Sequence, residues 1–128
     1  MPKSSVRIYR DGDAKLSFIE NKSIGMIGYG SQGRAQAPCL RDSGLEVILG
    51  LPAKSKSRAI AKGEGFEVSS VEDCVKRGDL ISFLFPDHLH QEAFQKQIRP
   101  YLRPNQALIF AAGFSVHYRE IQPFQLNY

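Results

Sequence analysis

One short turn constrains what this chain can fold into more than any other feature. Residues 28–33 are Gly-Tyr-Gly-Ser-Gln-Gly, between an apolar run at residues 23–27 and a helix-like segment that begins at Ser31. Glycines at this spacing are typical of a sharp turn from a buried strand into a helix, because they remove side chains where two backbones meet closely. The same glycines would suit an ordinary strand-to-helix turn, so the interpretation depends on the rest of the chain.

Apolar runs alternate with amphipathic segments along the rest of the sequence. The predicted strands are residues 23–27, 45–49, 66–68, 79–85 and 106–111. The predicted helices are residues 31–43, 56–62, 71–76, 88–98 and 116–121. Strands made of consecutive apolar residues are typical of a parallel sheet covered by helices on both faces. The sequence therefore predicts an α/β fold of three layers, with a doubly wound, mainly parallel sheet of the Rossmann type.

The composition is that of a globular chain without a membrane span. Its 128 residues suit one domain, and 42% of them are hydrophobic while 23% are charged. The longest apolar runs fall far short of the roughly 18 residues that cross a bilayer. The N-terminus lacks the apolar core of a signal peptide, and Cys39 and Cys74 fit no disulfide or metal framework. These features predict a cytoplasmic protein with no membrane partner.

The charge pattern does not favour nucleic acid as a partner. The formal net charge is +4, and the basic residues are dispersed except at Lys54 to Arg58. Proteins that bind single strands usually combine basic residues with aromatic side chains on which bases stack, and this chain shows no such interleaving. We expect a solvated basic surface with one anion-binding loop and no nucleic-acid partner.

The glycine turn has the features of a dinucleotide site. Gly28 permits the tight turn, Gly30 lets the backbone approach a pyrophosphate, and Gly33 lets the helix pack against the strand. The N–H groups at the start of the following helix then face the negative phosphates.

The end of the second predicted strand indicates which dinucleotide binds. An NAD site usually has an acidic residue there to hold the ribose hydroxyls, but residues 48–52 are Ile-Leu-Gly-Leu-Pro. Residues 54–58 then supply Lys-Ser-Lys-Ser-Arg. These cations and hydroxyls can donate hydrogen bonds to a 2′-phosphate, which a carboxylate would repel. The sequence predicts NADP(H) rather than NAD(H), with Ser55 also expected to cap the next helix.

Beyond the turn, several short segments occur in an order and spacing that is shared with a known family. They are Ile27-Gly28-Tyr29-Gly30-Ser31-Gln32-Gly33, Ala35-Gln36-Ala37, Leu40-Arg41-Asp42-Ser43-Gly44, Ser55-Lys56-Ser57, Pro86-Asp87 and Gly113-Phe114. Together they resemble ketol-acid reductoisomerase over residues 6–121. The resemblance implies an NADPH- and Mg²⁺-dependent enzyme of branched-chain amino-acid synthesis. Such enzymes convert 2-acetolactate or 2-aceto-2-hydroxybutyrate by an alkyl migration followed by hydride reduction.

The resemblance also implies roles for individual residues. Tyr29, Ser31 and Gln32 would line the pyrophosphate turn, and Ser55 and Ser57 would receive the 2′-phosphate. Pro52 stands where the family often has an arginine, so Lys54 or Arg58 would supply that cation. Pro86 and Asp87 would lie beside the cofactor. The full set of predicted cofactor-binding residues is Gly28, Tyr29, Gly30, Ser31, Gln32, Gly33, Lys54, Ser55, Ser57, Arg58, Pro86 and Asp87.

Three departures from the family pattern bear on catalysis. Ala112 stands at the position of the family's catalytic histidine, and a methyl group can neither move a proton nor donate a hydrogen bond. The resemblance implies that the family's magnesium ligands belong to a helical C-terminal domain, which we expect to be absent from this chain. Arg34 replaces a histidine after the turn, and Pro38 falls inside the first predicted helix, where it is expected to cause a kink. We therefore assign no catalytic residue and no metal ligand to this chain.

These features predict an arm at residues 1–22, in which Leu16 and Ile19 pack down, and an NADP(H)-binding domain at residues 23–128. The domain is expected to be inactive alone and to use Mg²⁺ only with a complementary C-terminal domain. The aromatic-rich residues 110–128 would form an apolar edge that a second copy or that complementary domain covers. The alternative is a non-catalytic interaction or regulatory module that binds NADP.

Three histidines suggest a metal site but do not fit one. His88 and His90 are two positions apart at a helix start and so do not face each other, and no third ligand is apparent. We interpret both as polar residues near the cofactor and His117 as structural.

Overall fold

The computed structural model describes residues 6–122, which form one parallel five-stranded sheet with helices on both faces. The strands are β1 (Ser23–Ile27), β2 (Glu46–Gly50), β3 (Glu67–Ser69), β4 (Leu80–Phe83) and β5 (Ala107–Phe110). The helices are α1 (Ser31–Asp42), α2 (Ser57–Gly63), α3 (Val71–Arg77), α4 (His90–Ala93) and α5 (Phe114–His117). Shorter turns are 3-10 helices at Asp11–Asp13, Leu16–Phe18, Asp87–Leu89 and Arg99–Tyr101, and a π-helical turn at Phe94–Ile98. Within residues 6–122, no helix is long and apolar enough to cross a membrane.

β1 lies at the centre of the sheet, and the strand order is β3-β2-β1-β4-β5. The register places Ile27 of β1 beside Gly50 of β2 and Phe83 of β4, so the three strands end at the same edge. The chain runs outward from β1 to β3 and then crosses back to β4. In open parallel sheets such a reversal forms a crevice outside the carboxyl ends of the strands, which is where ligands bind.

Buried side chains form two clusters on opposite faces of the sheet. Met26 of β1 and Leu49 of β2 belong to the first cluster, whereas their neighbours Ile27 and Ile48 belong to the second. Helices α1 and α2 cover the first face, and α3 and the π-helical turn cover the second. Neighbouring residues of one strand are thus buried in opposite directions, as a sheet with two covered faces requires. The predicted three-layer α/β fold is confirmed.

Element limits differ from the prediction around Pro86 and at α5, which is Phe114–His117 rather than residues 116–121. β4 ends at Phe83 rather than at residue 85, because β1 turns away at Gly28 and the parallel ladder ends there. The helix predicted at residues 88–98 consists of a 3-10 turn, the short α4 and a π-helical turn.

The arm agrees with expectation only in part, whereas the first helix agrees closely. Ile19 packs against the first cluster as predicted, whereas Leu16 is 46% exposed. Helix α1 runs through Pro38 to Asp42, close to the predicted limits of residues 31–43. Of the aromatic-rich C-terminal stretch, residues 123–128 lie outside the part of the chain that the structure describes.

Candidate cofactor-binding site

Two glycines of the turn have no room for a side chain, whereas the third faces open space. Gly28 has φ +108, and a Cβ there would lie 2.6 Å from the Leu84 carbonyl oxygen. A Cβ at Gly33 would lie 2.8 Å from the Gly28 carbonyl oxygen. No such neighbour lies within 4 Å of a Cβ built at Gly30. The turn therefore needs glycine at 28 and 33 for its own backbone, and it faces open space at Gly30.

The N-terminus of α1 faces this open space. Gly30 is the N-cap, and the first backbone bond of the helix runs from the Arg34 amide to the Gly30 carbonyl, at 2.9 Å. The amides of residues 31–33 precede that bond, so the helix itself provides no acceptor for them. Ser31 and Gln32 are exposed beside them. Backbone amides at the positive end of a helix are suited to bind a phosphate group.

The side chain of Tyr29 points away from the turn and into the protein. Its ring is 3% exposed and lies 5.8 Å from the ring of Phe66. Its hydroxyl donates a 2.7 Å hydrogen bond to Glu64, which follows α2. Burial is the main cause that raises the pKa of the Tyr29 phenol, and the hydrogen bond to this carboxylate raises it further. What Tyr29 presents at the turn is therefore its backbone, which sequence reasoning did not foresee.

The loop between β2 and α2 carries the predicted 2′-phosphate residues. Lys54 is exposed, and the Ser55 hydroxyl accepts a 3.3 Å bond from the amide of Ser57, the first residue of α2, although the N-cap of the helix is Lys56 rather than Ser55. Arg58 turns back toward the sheet, where its Nη1 donates to the carbonyls of Leu51 and Ser69 at 2.7 and 3.3 Å. Lys54 is thus exposed, Ser55, Ser57 and Arg58 are half-buried, and the Nη1 of Arg58 is already bonded to two carbonyls.

A cleft of about 390 Å³ lies at the carboxyl ends of the central strands. Gly28 of the turn and Pro52 of the loop lie on one side of it. Leu89, Glu92, Ala93, Lys96 and Gln97 form the other side. The sequence prediction missed these helical residues, although they recur at intervals of three and four positions, which is the spacing of one helix face.

Pro86 and Asp87 are exposed at the start of the helical stretch that forms this side of the cleft. The predicted residues of the turn, of the loop and of the segment after β4 therefore gather around one edge of the sheet.

His90 has a structural environment. It is 2% exposed, and its Nε2 donates to the Phe85 carbonyl at 2.8 Å, since a carbonyl can only accept. Its Nδ1 is hydrogen-bonded to the buried Ser115 hydroxyl at 2.7 Å. The histidine thus joins the end of β4 to α5. His88, in contrast, is exposed.

Ala112 lies exposed after β5, and His117 packs edge-on against Tyr118, with 4.8 Å between the ring centroids. Among residues 6–122, no three His, Cys, Asp or Glu side chains come together as a metal site.

Comparison with known proteins shows the family to which the chain is related. Residues 18–126 match the family described as acetohydroxy acid isomeroreductase, NADPH-binding domain. The ketol-acid reductoisomerase (NADP(+)) of Pyrococcus abyssi is 43% identical over 118 residues, which cover 92% of this chain and 36% of the relative. The ketol-acid reductoisomerase (NAD(P)(+)) of Metallosphaera sedula is 46% identical over 117 residues, which cover 91% and 35%.

A solved structure shows the same relationship. The NADH-preferring ketol-acid reductoisomerase from an uncultured archaeon superimposes with a TM-score of 0.89 at 36% identity, covering 94% of this chain and 38% of the other. The chain thus spans about a third of the length of the curated relatives it matches. Since the family match extends over most of the chain, this protein belongs to the family of the NADPH-binding domain of acetohydroxy acid isomeroreductase, also called ketol-acid reductoisomerase.

Proposed function

We propose that this chain binds NADP(H) at the carboxyl edge of its sheet. The pyrophosphate is proposed to lie in front of Gly30, on the amides of residues 31–33, and the 2′-phosphate at Lys54, Ser55 and Ser57. The main support is the open space at Gly30, which lies at the N-terminus of α1. The other two glycines of the turn, in contrast, are required by its own backbone. The adjoining cleft has room for the adenosine end of the cofactor.

The choice between NADPH and NADH depends on the loop between β2 and α2. Family membership does not decide it, since the relatives named above are described as using NADP(+) or NAD(P)(+) or as preferring NADH. In this chain no acidic residue occurs between Gly50 and Ser57, and Lys54 and the two serines can donate to a phosphate. We therefore propose that the chain prefers NADPH.

Isothermal titration calorimetry tests this preference. NADPH should bind about tenfold tighter than NADH, as expected when a phosphate gains charge-assisted hydrogen bonds. Ser57→Asp should reverse the order, because its carboxylate repels the 2′-phosphate and accepts from ribose hydroxyls. The same change at Ser43, at the far end of α1, is the matched control. Equal affinities in the wild-type chain, or a preference for NADH, would contradict the proposal.

We further propose that the domain supplies the hydride donor to a reductoisomerase reaction but does not complete it alone. Ala112 lies at the carboxyl end of β5, where the family resemblance places the catalytic histidine. Mg²⁺, when bound by a complementary domain, would polarise the substrate oxygens. With NADPH, Mg²⁺ and 2-acetolactate, the 128-residue chain should show no NADPH oxidation above the rate without protein. Turnover by this chain alone would refute this proposal.

A non-catalytic module that binds NADP is the second candidate, and Ala112 is the observation that favours it. Such a module would associate with a partner in a cofactor-dependent way. Affinity capture with and without NADPH distinguishes the two candidates. A partner other than a reductoisomerase subunit, retained only in one cofactor state, supports the module.

A further inference from the structure

The proposed cofactor site is assembled from two separate units of the fold. The turn at residues 28–33 connects β1 to α1, and the loop at residues 51–56 connects β2 to α2. A dinucleotide that spans both units requires a fixed spacing between them. Contacts that join the two units outside the sheet therefore affect how well the cofactor fits.

Glu64, just after α2, makes three hydrogen bonds to the β1–α1 unit. Its Oε2 accepts from the Tyr29 hydroxyl at 2.7 Å, and its Oε1 accepts from Arg34 Nη2 at 3.0 Å. Its backbone carbonyl accepts from Arg41 Nη1 at 2.7 Å. The Arg41 guanidinium also lies 4.2 Å from the centre of the Phe66 ring. One residue thus fastens the end of α2 to the turn and to two positions of α1.

The bond to Tyr29 distinguishes Glu64 from an ordinary surface ion pair. Gly28 and Gly30 have no side chains, so the side chain of Tyr29 is what attaches residues 28–30 of the turn to the rest of the protein. The Tyr29 ring is buried against Phe66, and its hydroxyl donates to the Glu64 carboxylate. The Arg34–Glu64 pair alone, with both side chains exposed, would contribute little. The buried phenol transmits the position of Glu64 directly to the backbone of the turn.

We propose that Glu64 is a positioning residue, which through Tyr29 holds the pyrophosphate turn and the β2–α2 loop at the spacing that one dinucleotide requires. This inference rests on the proposed NADP(H) site. It assigns Glu64 no contact with the cofactor, so its effect should depend on whether a ligand spans both units.

Binding of two different ligands distinguishes a positioning role of Glu64 from a general loss of structure. NADPH spans the turn and the loop, whereas 2′-AMP carries only the adenosine 2′-phosphate that the loop is proposed to hold. Glu64→Ala and Tyr29→Phe should each weaken NADPH binding about fivefold or more, the scale of one lost hydrogen bond. Both variants should bind 2′-AMP within about twofold of wild type. Glu64→Gln keeps an oxygen acceptor for the phenol and should recover most of the NADPH affinity.

The matched control is Glu67→Gln. Glu67 on β3 pairs with the exposed Arg77 of α3, as Glu64 pairs with Arg34, but among residues 6–122 it forms no side-chain hydrogen bond with the turn. This variant should bind both ligands like wild type. Calorimetry for NADPH, NMR titration for 2′-AMP and a thermal melt of each variant give the required measurements.

Two results would overturn the inference while leaving the NADP(H) site intact. One is unchanged NADPH affinity in both Glu64→Ala and Tyr29→Phe. The other is an equal loss of NADPH and 2′-AMP affinity in variants that melt like wild type. If the wild-type chain itself binds no NADPH, the proposed function fails and the inference fails with it. Tyr29→Phe keeps the buried ring, so it serves as the folded test if Glu64→Ala does not fold.

Discussion

At the scale of single residues, Gly28 and Gly30 belong to the same turn but have different surroundings. Gly28 has a left-handed backbone and the Leu84 carbonyl oxygen 2.6 Å from where a Cβ would be, whereas a Cβ at Gly30 meets no neighbour within 4 Å. Gly28→Ala should therefore cost about 2 kcal/mol or more of unfolding free energy. Gly30→Ala should leave that free energy nearly unchanged but weaken NADPH binding, because its methyl group enters the space proposed for the pyrophosphate.

Urea unfolding and NADPH titration of both glycine variants measure these two effects separately. Equal destabilisation by the two substitutions would contradict the distinction. Normal NADPH binding by Gly30→Ala would remove the main support for the proposed phosphate position.

The Tyr29–Glu64 pair also predicts how stability depends on pH. The hydrogen bond from Tyr29 lowers the pKa of Glu64, so the contribution of Glu64 is present above pH 4.5 and is lost as pH falls through the lowered pKa. Burial raises the pKa of Tyr29, so its contribution is present below pH 10 and is lost as pH rises through the raised pKa.

The difference in unfolding free energy between wild type and Tyr29→Phe should therefore be constant between these limits and shrink outside them. Urea titrations across the pH range measure it. A difference that varied between pH 6 and 8 would show that another titrating group is responsible.

Sequence reasoning was most successful where a residue acts on its close neighbours. The Ser70 hydroxyl, for example, caps α3 by accepting from the Asp73 amide at 3.1 Å, a bond that a serine directly before a helix favours. The direction of Tyr29 was missed because its partner Glu64 lies 35 positions away in the sequence. Nothing near Tyr29 in the sequence signals that pairing, which requires α1 and α2 to be packed side by side.

At the scale of elements, α3 packs unusually close to the sheet around Cys74. A Cβ at Gly50 of β2 would lie 2.7 Å from the Cβ of Cys74, so β2 can approach the helix only with glycine there. The thiol is fully buried, and this burial raises its pKa to about 12. Cys39 on α1 is exposed.

Iodoacetamide should therefore modify Cys39 and leave Cys74 unmodified in the native protein, because the thiolate is the reactive form. Peptide mass mapping before and after unfolding in urea measures both sites. Modification of native Cys74 at a rate like that of Cys39 would contradict the close packing of α3.

The stretch at residues 87–101 shows why element limits were harder to predict than elements. Its buried residues Phe94 and Ile98 have helical spacing, so the sequence indicated one helix. Pro100 has no N–H to donate to the Lys96 carbonyl four residues earlier, which weakens regular α-helix in the preceding turn. The structure has a π-helical turn and then a 3-10 turn at this place. The spacing of hydrophobic residues does not predict such a change in hydrogen bonding.

At the scale of the whole molecule, the fold class followed from the runs of consecutive apolar residues that form β1, β2 and β4. The fold class in turn predicted that the candidate site residues lie close together, because the carboxyl ends of parallel strands share one edge. The strand order required the structure, since each strand has an apolar pattern that would suit several positions in a sheet.

The edge strand β5 and the segment around α5 both expose apolar side chains. Ile109 is 44% exposed, Phe114 46% and Tyr118 63%. An uncovered apolar edge favours association, so the chain should form dimers as its concentration increases. Ile109→Lys should shift this equilibrium toward monomer, whereas Ile60→Lys on α2, also 44% exposed, should not. Sedimentation velocity over a range of concentrations tests this, and a wild-type monomer throughout would refute it.

The central position of β1 also has a kinetic consequence. Pairing of β1 with β2 joins residues that are close in sequence, whereas the contact of Ser23 with Asp79 at the start of β4 joins residues 56 positions apart. The longer loop is entropically more costly to close, so docking of β4 and β5 is expected to come late in folding. The proposed cofactor cleft lies across that junction. A bound dinucleotide would then slow the unfolding of the chain much more than it speeds folding.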